Sequence, residues 1–457
     1  MSAAALAGEL RALLGEDSVV EPVPGRYLAD ATEAQGLRGE ADAVVLPRDT
    51  ESVAQAMERC YSLGVPITPR GGGTGYAGGA VPGGGVVLAL ERMRGVRSIE
   101  PLGWRAEVEA GLTTAHVQRL ALESGLYFPP DPGAAEQSQI GGNVATNAGG
   151  PHAFKYGVTA AWVTGLEAVV PPGRVVRLGG AARKDVAGYD LRSLLVGSEG
   201  TLGVITAVKL RLIPRPQTRF PVLGFYRDAR AGTAAVEAAL GSGVVPAALE
   251  FVDAGADEAA LASFPAERPA GPSFVVLAEA DGSEPEAEEG RAALREALSA
   301  GAVSVVAPRE PSEVSDLWRW RDGISLAAVA ALGGKLSEDV AVPVERLMDA
   351  IEGTVEIGAR HGLRACSWGH AGDGNLHSTF LFDRRDADAR GRAGEAAAEV
   401  FDMALKLGGT VSGEHGVGIA KAGQLARQLD PAAAGLHGAI KDVFDPEGLL
   451  NPRKKSI

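Results

Sequence analysis

The sequence predicts an α+β protein with more than one domain. The chain has 457 residues, which is longer than one hydrophobic core usually accommodates, so we expect two or three domains. In the first part, short apolar segments flank loops rich in glycine. From about Thr218, strand and helix patterns alternate more regularly. Pro214 and Pro216 therefore mark the predicted boundary between the first and the second domain.

The composition favours a soluble protein and argues against two classes of partner. The net charge of −14 disfavours nucleic acid or an anionic membrane as the main partner, since both carry negative charge. Cys60 and Cys366 lie far apart and give no metal-binding spacing and no disulfide framework, which fits a reducing, cytoplasmic setting. The acidic N-terminal stretch does not resemble a targeting peptide. The most apolar run, which starts at Ile324, is shorter than the roughly 20 residues of a membrane span.

Apolar periodicity predicts the elements of the first domain. The residues that share one face of an N-terminal helix are Leu6, Leu10, Leu13 and Leu14. Further strands are predicted at Val44–Leu46, Val65–Thr68 and Val86–Leu90, with another ending at Ala110 and a helix running from Thr113 to Gly125. Thr50 stands at the cap position of a helix between the first two strands. Pro172 and Gly173 form the turn of a hairpin, and the segment "TLGVITAVKLRLIPRPQ" supplies a last strand.

The second domain shows a mixed strand and helix pattern. The segments "FPVLGFY", "PAALEFVD" and "SFVVLAEADG" are predicted strands. Between and after them, "DARAGTAAVEAALGSG" and "EPEAEEGRAALREALSAG" are predicted helices. This order is typical of an α+β domain.

The stretch "PRGGGTGYAGGAVPGGGVVLAL" (Pro69–Leu90) is unusually rich in glycine. It lacks the lysine of a P-loop, and a strand follows it where a Rossmann loop would be followed by a helix. Two interpretations stay open: a flexible, turn-rich loop, or a nest of backbone N–H groups that binds a pyrophosphate. Arg70 and Thr74 within the stretch favour the second.

Two further glycine-rich blocks, "QIGGNVATNAGGPHAFKYG" and "KDVAGYDLRSLLVGSEGTLGVIT", also adjoin strands. Three such loops could converge on one long ligand. Together with "PPDP", "GHAGDGNLH" and "SGEHGVG", they occur in the order seen in FAD-linked oxidases and dehydrogenases of the vanillyl-alcohol oxidase type, which the chain resembles. Within that family it is most similar to the branch of the glycolate dehydrogenase FAD subunit, D-lactate dehydrogenase and D-2-hydroxyglutarate dehydrogenase. The resemblance is weakest from about Phe220 to Ser312.

The resemblance implies a two-part FAD-binding domain and a ferredoxin-like α+β substrate domain. The expected bounds are residues 1–215 for the FAD-binding domain, 216–410 for the substrate domain, and 411–457 for a segment that returns to the FAD-binding domain. The residues implied to hold FAD are Arg70, Gly71, Gly72, Gly73, Thr74, Gly75, Pro130, Gly142, Asn147, Gly149, Tyr156, Gly157, Glu199, Gly200, Gly203, Ile205 and Asn451. FAD is expected to be noncovalent, because no histidine lies in the first loop and His152 matches relatives that do not tether it.

Four of the seven histidines fall between His361 and His415. His370 and His377 would lie on opposite faces of one straight strand, but a turn through "AGDG" would bring them together. Each histidine alone is more often a hydrogen-bonded core residue than a ligand. Two histidines with Glu414 match a catalytic divalent-metal set. The resemblance assigns these three residues to a metal, usually zinc, and makes His415 the base.

A cation for an acidic substrate is expected in the helix that carries Arg319 and Arg321. Either arginine alone is usually a solvated surface charge. The resemblance places Arg321 on the substrate carboxylate, and Lys335 at a substrate-binding lysine. Members that oxidise hydroxyglutarate tend to carry asparagine where this chain has Thr379, so glycolate or D-lactate is at least as good a candidate as a long diacid. Lys454 and Lys455 are expected to form a solvated tail.

The expected reaction is FAD-dependent oxidation of a D-2-hydroxy acid to the 2-oxo acid. Two alternatives stay open: a metal-dependent hydrolase with structural glycine blocks, and an FAD subunit of a multi-subunit glycolate dehydrogenase. In the second case a partner must carry the iron–sulfur cluster, because this chain has no such cysteine pattern. The sequence leaves open whether an iron–sulfur subunit, a quinone, a cytochrome or an electron-transfer flavoprotein accepts the electrons, and whether the chain forms homo-oligomers.

Overall fold

The computed structural model describes residues 2–456. The strands among these residues are β1 (Val19–Val20), β2 (Ala43–Val45), β3 (Ile67–Arg70), β4 (Val86–Ala89), β5 (Val96–Glu100), β6 (Arg105–Glu109), β7 (Leu126–Tyr127), β8 (Val163–Val170), β9 (Arg174–Gly179), β10 (Val204–Arg211), β11 (Ile213–Pro214), β12 (Thr218–Tyr226), β13 (Ala248–Val252), β14 (Phe274–Gly282), β15 (Ser304–Val306), β16 (Gly333–Ala341), β17 (Arg364–His370) and β18 (Asn375–Asp383).

The α-helices among the described residues are α1 (Ala3–Leu14), α2 (Thr50–Ser62), α3 (Thr114–Glu123), α4 (Ile140–Thr146), α5 (Ala153–Tyr156), α6 (Leu191–Leu195), α7 (Ala229–Leu240), α8 (Ala254–Ala260), α9 (Glu284–Ser299), α10 (Pro311–Leu332), α11 (Leu347–Arg360), α12 (Ala387–Lys406), α13 (Ala422–Gln428) and α14 (Pro431–Phe444). Within the part of the chain that is described, none of these helices has the length and apolar character needed to cross a membrane.

The chain divides into two compact units. The first unit comprises Met1–Gly149, Val158–Arg215 and Glu414–Ile457, and the second comprises Gly150–Gly157 and Pro216–Gly413. The short segment Gly150–Gly157 thus belongs to the second unit, and no pattern in the sequence predicts this assignment.

The first unit contains a four-stranded sheet, in the order β1-β2-β4-β3, and a five-stranded sheet, in the order β5-β6-β10-β8-β9. β4 pairs in parallel with both β2 and β3. Both faces of such a parallel sheet are covered, so the sequences of its strands are continuous apolar runs. Helices α1 and α2 contribute Leu10 and Met57 to one core, where they join Leu88 of β4. This core holds β3 in place, and β3 leads directly into the glycine loop.

Two local predictions for the first unit need correction. The N-cap of α2 is Asp49, whose carboxylate accepts a hydrogen bond from Ser52 N at 2.8 Å, and Thr50 is the first helical residue. On α1, Leu6 and Leu10 are buried, whereas Leu13 is 45% exposed, because the buried stripe is narrower than the run of leucines indicates.

Lys454 and Lys455 do not form a solvated tail. Asn451 N donates to Ile67 O at 2.7 Å and Lys455 N donates to Gly418 O at 3.0 Å, so backbone hydrogen bonds hold this segment against the first unit. Lys454 is only 3% exposed, and burial lowers its pKa to about 8. Lys455 Nζ donates to Gly197 O at 2.8 Å.

The second unit is built on a seven-stranded sheet in the order β15-β12-β14-β13-β17-β18-β16. Successive residues of β14 point to opposite faces. Val276 joins a core with helices α7, α9, α11 and α12, whereas Leu277 joins a second core with Trp320 of α10. Helices therefore cover both faces of the sheet, and the face towards α10 carries the polar residues described below.

Candidate active site

A pocket opens beside the glycine loop of the first unit. The predicted cofactor residues that line it are Arg70, Gly71, Gly72, Gly73, Thr74, Gly75, Gly142, Glu199, Gly200, Gly203 and Ile205. His415, the predicted base, also lines it. The three glycine-rich blocks therefore do converge on one pocket.

The absence of side chains lets the loops approach each other. A Cβ on Gly72 would fall well inside van der Waals contact with the carbonyl oxygen of Gln137. A Cβ on Gly71 would lie 3.3 Å from the Cα of Gly142, so the first two glycine-rich blocks meet backbone to backbone. Gly73 has a φ of +70°, which residues with a Cβ rarely adopt. Close packing of the loops therefore requires glycine at positions 71 and 72, and the backbone conformation requires it at position 73.

The side chain of Arg70 stabilises the glycine loop. This side chain is buried, and Nη1 donates to Ala29 O at 2.7 Å. Burial lowers the pKa of Arg70, an effect that nearby Asp30 partly offsets. A guanidinium held in this way fixes the backbone that follows β3.

Glu199 links the pocket to the residues after His415. It has a φ of +55°, and its carboxylate accepts hydrogen bonds from Val417 N at 2.9 Å and Gly418 N at 2.6 Å. Its carbonyl oxygen accepts a hydrogen bond from Asn451 Nδ2 at 2.7 Å. The carboxylate thus binds backbone N–H groups of the protein and fixes the loop that carries His415.

His415 and Glu414 are neighbours at the start of this loop. The His415 ring lies 5.0 Å from the ring of Tyr76, centroid to centroid. His415 Nε2 lies 3.9 Å from Glu414 Oε1, and a Cβ on Gly149 would lie 2.9 Å from Glu414 Oε2. The glycine at position 149 therefore leaves room for the Glu414 carboxylate.

The other predicted cofactor residues lie outside the set that lines the pocket. Pro130 O accepts from Gln118 Nε2 at 2.8 Å, and Asn147 Oδ1 accepts from Ala160 N at 2.8 Å. Tyr156 and Gly157 belong to the second unit. There the Tyr156 hydroxyl donates to Asp281 Oδ2 at 2.6 Å. Their assignment to the cofactor stays a prediction.

In the second unit, His370 ends β17 and His377 lies on β18, with a short turn through "AGDG" between them. The predicted turn is confirmed, and the two ring centroids are 5.9 Å apart in an edge-to-face arrangement. Both side chains are buried. The register pairs His377 with Asp339 of β16, whose carboxylate accepts from Asn375 Nδ2 at 2.6 Å.

Glu250 of β13 is a fully buried carboxylate beside His370. The register pairs the two residues directly, and Glu250 Oε1 lies 2.7 Å from His370 Nδ1. The other oxygen forms an ion pair with Arg321 of α10. Burial alone would raise the pKa of Glu250, but the charges of Arg321 and His370 outweigh burial and hold this pKa below its ordinary value.

The two arginines of α10 have different surroundings, as their separation of two residues predicts for a helix. The side chain of Arg319 is 73% exposed and pairs with Asp316 at 2.7 Å. The side chain of Arg321 is only 12% exposed and lies against the sheet. Of the two predicted candidates, only Arg321 is therefore placed among buried polar groups.

Lys335 and Thr379 lie on the same sheet face as His377. Lys335 Nζ hydrogen-bonds to Ser325 Oγ and lies 5.2 Å from the centroid of the Trp368 ring. Burial lowers the pKa of Lys335 to about 8. Thr379 Oγ1 is 2.8 Å from Ser337 Oγ.

Sequence reasoning missed several residues of these sites. Asp30 and Gln139 line the pocket. Gln139 is the first residue of the second glycine-rich block, but no sequence pattern points to Asp30. Glu250 could have been found, because it is the one charge inside the apolar run "AALEFV". Glu279, a second buried carboxylate on the same sheet face, accepts from Trp318 Nε1 at 2.7 Å and interrupts an apolar run in the same way.

The pocket has features that suit FAD. The glycine-rich loops offer closely spaced backbone groups without side chains, which is how proteins bind a pyrophosphate. Gln139 Oε1 and, nearby, Asn451 Oδ1 are buried and have no hydrogen-bond partner among the described residues. Unpaired buried polar atoms are costly, so a polar ligand at this position would satisfy them.

Comparison with known proteins identifies the family. The FAD binding domain matches residues 41–179, and the C-terminal domain of FAD linked oxidases matches residues 215–455, more than half of the chain. The chain belongs to the FAD-linked oxidases. It is an FAD-dependent oxidoreductase, which confirms the predicted family and cofactor and disfavours the hydrolase.

Two relatives and one solved structure illustrate the similarity. The glycolate oxidase subunit GlcD of Bacillus subtilis is 38% identical, covering 94% of this chain and 91% of the relative. The D-lactate dehydrogenase of Anaerostipes hadrus is 35% identical, covering 91% and 90%. The structure of p-cresol methylhydroxylase aligns over 99% of this chain and 96% of its own with a TM-score of 0.80 and 18% identity. That structure confirms the predicted fold class.

Proposed function

We propose that this FAD-linked oxidase converts a D-2-hydroxy acid of the glycolate or D-lactate kind to the 2-oxo acid. The observation that carries the proposal is His415, an imidazole that lines the same pocket as the glycine loop. Relatives named for glycolate and D-lactate support the substrate class. FAD, when bound, supplies the redox chemistry by accepting a hydride equivalent.

His415 serves as the proton acceptor for the substrate hydroxyl. An imidazole changes charge near neutral pH, so it can take up a proton under working conditions. The hydrogen bonds from Val417 N and Gly418 N to Glu199 hold the following residues, and contact with the Tyr76 ring limits the movement of the base. No histidine lies in the loop Arg70–Gly75, which supports noncovalent FAD.

Arg321 and Lys335 bind the substrate carboxylate. A guanidinium can donate two parallel hydrogen bonds to a carboxylate, and the buried position of Arg321 strengthens such a bond. Lys335, whose pKa is about 8, is mostly charged at neutral pH and adds a second cation. Thr379 stands where members that oxidise hydroxyglutarate tend to carry asparagine, which favours a short acid.

His370, His377 and Glu414 would hold a divalent metal, with zinc as the first candidate. The two buried imidazoles lie edge to face, and the contact of His370 Nδ1 with Glu250 is the arrangement usual for a metal-binding histidine. In the sequence, Glu414 directly follows Gly413, the last residue of the second unit. The metal would supply Lewis-acid stabilisation of an ionised hydroxyl.

A second candidate function is that of an FAD subunit within a larger glycolate-oxidising complex. The name of the Bacillus subtilis relative, a glycolate oxidase subunit, favours it. With only two cysteines in the chain, an iron–sulfur cluster would come from the partner. Copurification of an iron–sulfur protein would establish this, and a quinone, a cytochrome or a flavoprotein stays an alternative acceptor.

We place the protein in the cytoplasm, and a homo-oligomer is compatible with this proposal.

The test is to mix the purified, FAD-loaded protein with D- and L-2-hydroxy acids in the absence of oxygen. We expect the visible flavin absorbance to bleach with glycolate or D-lactate, and much more slowly with L-lactate. If none of the 2-hydroxy acids bleaches the flavin, the proposed reaction is wrong.

A further inference from the structure

Glu250 is a charged residue in the fully buried interior of the second unit, where an unpaired charge is strongly unfavourable. The residue lies in the middle of β13, is fully buried, and has the apolar Leu249 and Phe251 on either side. Burial of an unpaired carboxylate strongly destabilises a protein, so such a residue is tolerated only where its partners compensate. Glu250 has two such partners, and they come from two different elements of the second unit.

The first partner is His370. Because β13 pairs antiparallel with β17 and Glu250 stands directly opposite His370, both side chains project from the same face of the sheet. Glu250 Oε1 is 2.7 Å from His370 Nδ1. An imidazole held at Nδ1 by a carboxylate carries its proton there and turns its Nε2 edge away from that carboxylate.

The second partner is Arg321 of α10, which forms an ion pair with the other carboxylate oxygen. Arg321 Nη2 also lies 3.4 Å from His370 Nδ1. One carboxylate therefore fixes both an imidazole and a guanidinium, and the sheet register sets the position of that carboxylate.

We infer that Glu250 is a positioning residue that orients His370 as a metal ligand and holds Arg321 beside it. The inference rests on the proposed function, because it takes His370 to be a ligand and Arg321 to bind the substrate. It adds a residue that no motif in the sequence indicates. Removal of the carboxylate should loosen the imidazole even though Glu250 would never contact the metal.

The chain offers a matched control on the neighbouring strand. Glu279 of β14 is also fully buried and lies on the same sheet face as Glu250, since β13 and β14 pair Ala248 with Glu279. It is 2.9 Å from His152 Nε2, so it too holds an imidazole. The Glu279→Gln variant thus removes an equally buried carboxylate next to a histidine that is not a predicted ligand.

The experiment is Co²⁺ binding to metal-free, FAD-loaded protein, followed by the visible absorption of the bound ion. We expect Glu250→Gln to weaken Co²⁺ binding about 10- to 100-fold, as is typical when a carboxylate behind a metal-binding histidine is lost, and to shift the Co²⁺ spectrum. Glu279→Gln should bind Co²⁺ as the wild type does. Equal binding and equal spectra for Glu250→Gln and the wild type would overturn the inference, as would equal weakening in both variants.

If Glu250→Gln does not fold, Glu250→Asp replaces it. That variant keeps the charge but shortens the reach to His370 by one methylene group, so we expect weaker Co²⁺ binding with flavin content unchanged; wild-type affinity would overturn the inference. A wild-type protein that binds no Co²⁺ would remove the metal and this inference together. The proposed acid oxidation is tested independently by flavin bleaching.

Discussion

The glycine pocket of the first unit and the polar sheet face of the second unit place their functional groups in opposite ways. In the pocket, loops approach because side chains are missing, as at Gly71 and Gly72, and backbone groups are the expected ligands. On the sheet face, strand register and helix α10 bring together long charged side chains, above all Glu250, Arg321 and His370. The pocket should therefore be damaged by added atoms, and the sheet face by removed ones.

This difference follows from the ligand that each region is expected to bind. A pyrophosphate presents many oxygen atoms, which a row of N–H groups can bind without side chains. A small hydroxy acid presents one carboxylate and one hydroxyl, which require a few charged groups at fixed positions. Substitutions that add atoms to the pocket and substitutions that remove charged groups from the sheet face test this difference.

The largest effect is expected at His415, the pocket-lining side chain that we propose as the base. We predict that His415→Asn lowers the rate of flavin reduction by substrate about 10²- to 10⁴-fold, the usual contribution of a general base. Bound FAD should stay at the wild-type level, which the flavin content of the purified variant reports. A variant that reduces flavin at the wild-type rate would show that His415 is not the base.

Next in size is the effect of an added methyl group in the glycine loop. Gly72→Ala should weaken FAD binding about 100-fold, because overpacking against the Gln137 backbone costs a few kcal/mol. Gly180→Ala is the control, since Gly180 is not among the pocket-lining residues and a Cβ there would have no neighbour within 4 Å among the described residues. FAD titration of both apoproteins measures the difference, and equal affinities would contradict the proposed fit of the loop.

Removal of charge from the sheet face should act on substrate binding. Arg321→Met is predicted to raise KM for the acid about 30-fold, since a charge-assisted hydrogen bond contributes about 2 kcal/mol, and to change kcat less. Arg319→Met, two residues away and largely exposed, should leave KM unchanged. Steady-state kinetics of the two variants distinguishes them, and similar KM values for both would remove Arg321 from substrate binding.

The smallest effect is a pH dependence from Lys335. Burial lowers its pKa to about 8, so the cation is present below pH 8 and is lost as the pH rises through that value. We therefore expect KM for the acid to increase severalfold between about pH 7.5 and 9. Lys335→Arg should flatten this rise, because arginine stays charged; a wild-type KM that is constant across this range would contradict the assignment.

Most of the fold followed from local patterns, and the exceptions have physical reasons. The strands around the glycine loop and the turn between His370 and His377 were predicted, because apolar runs and turn residues act locally. The excursion Gly150–Gly157 was not, since it depends on distant partners such as Asp281 on β14. Lys454 looked like part of a tail because its burial depends on hydrogen bonds to residues far away in sequence, such as Ile67.

The candidate site was predicted from its motifs, but its support was not. The glycine loop and His415 stand in recognisable blocks, and the pocket contains both. Glu250 and Glu279 stand in ordinary strand patterns, and their roles depend on which strands become neighbours in the sheet. A charge inside an apolar run shows that compensation is needed, but it does not reveal the partner.

Anaerobic flavin reduction by glycolate and by its C2-deuterated form tests the proposed hydride transfer from C2. We predict that flavin bleaches with both and that the deuterated acid reacts several times more slowly, because the C2–H bond breaks as the flavin is reduced. Flavin that remains oxidised, or that bleaches only when a different class of substrate is supplied, would contradict it.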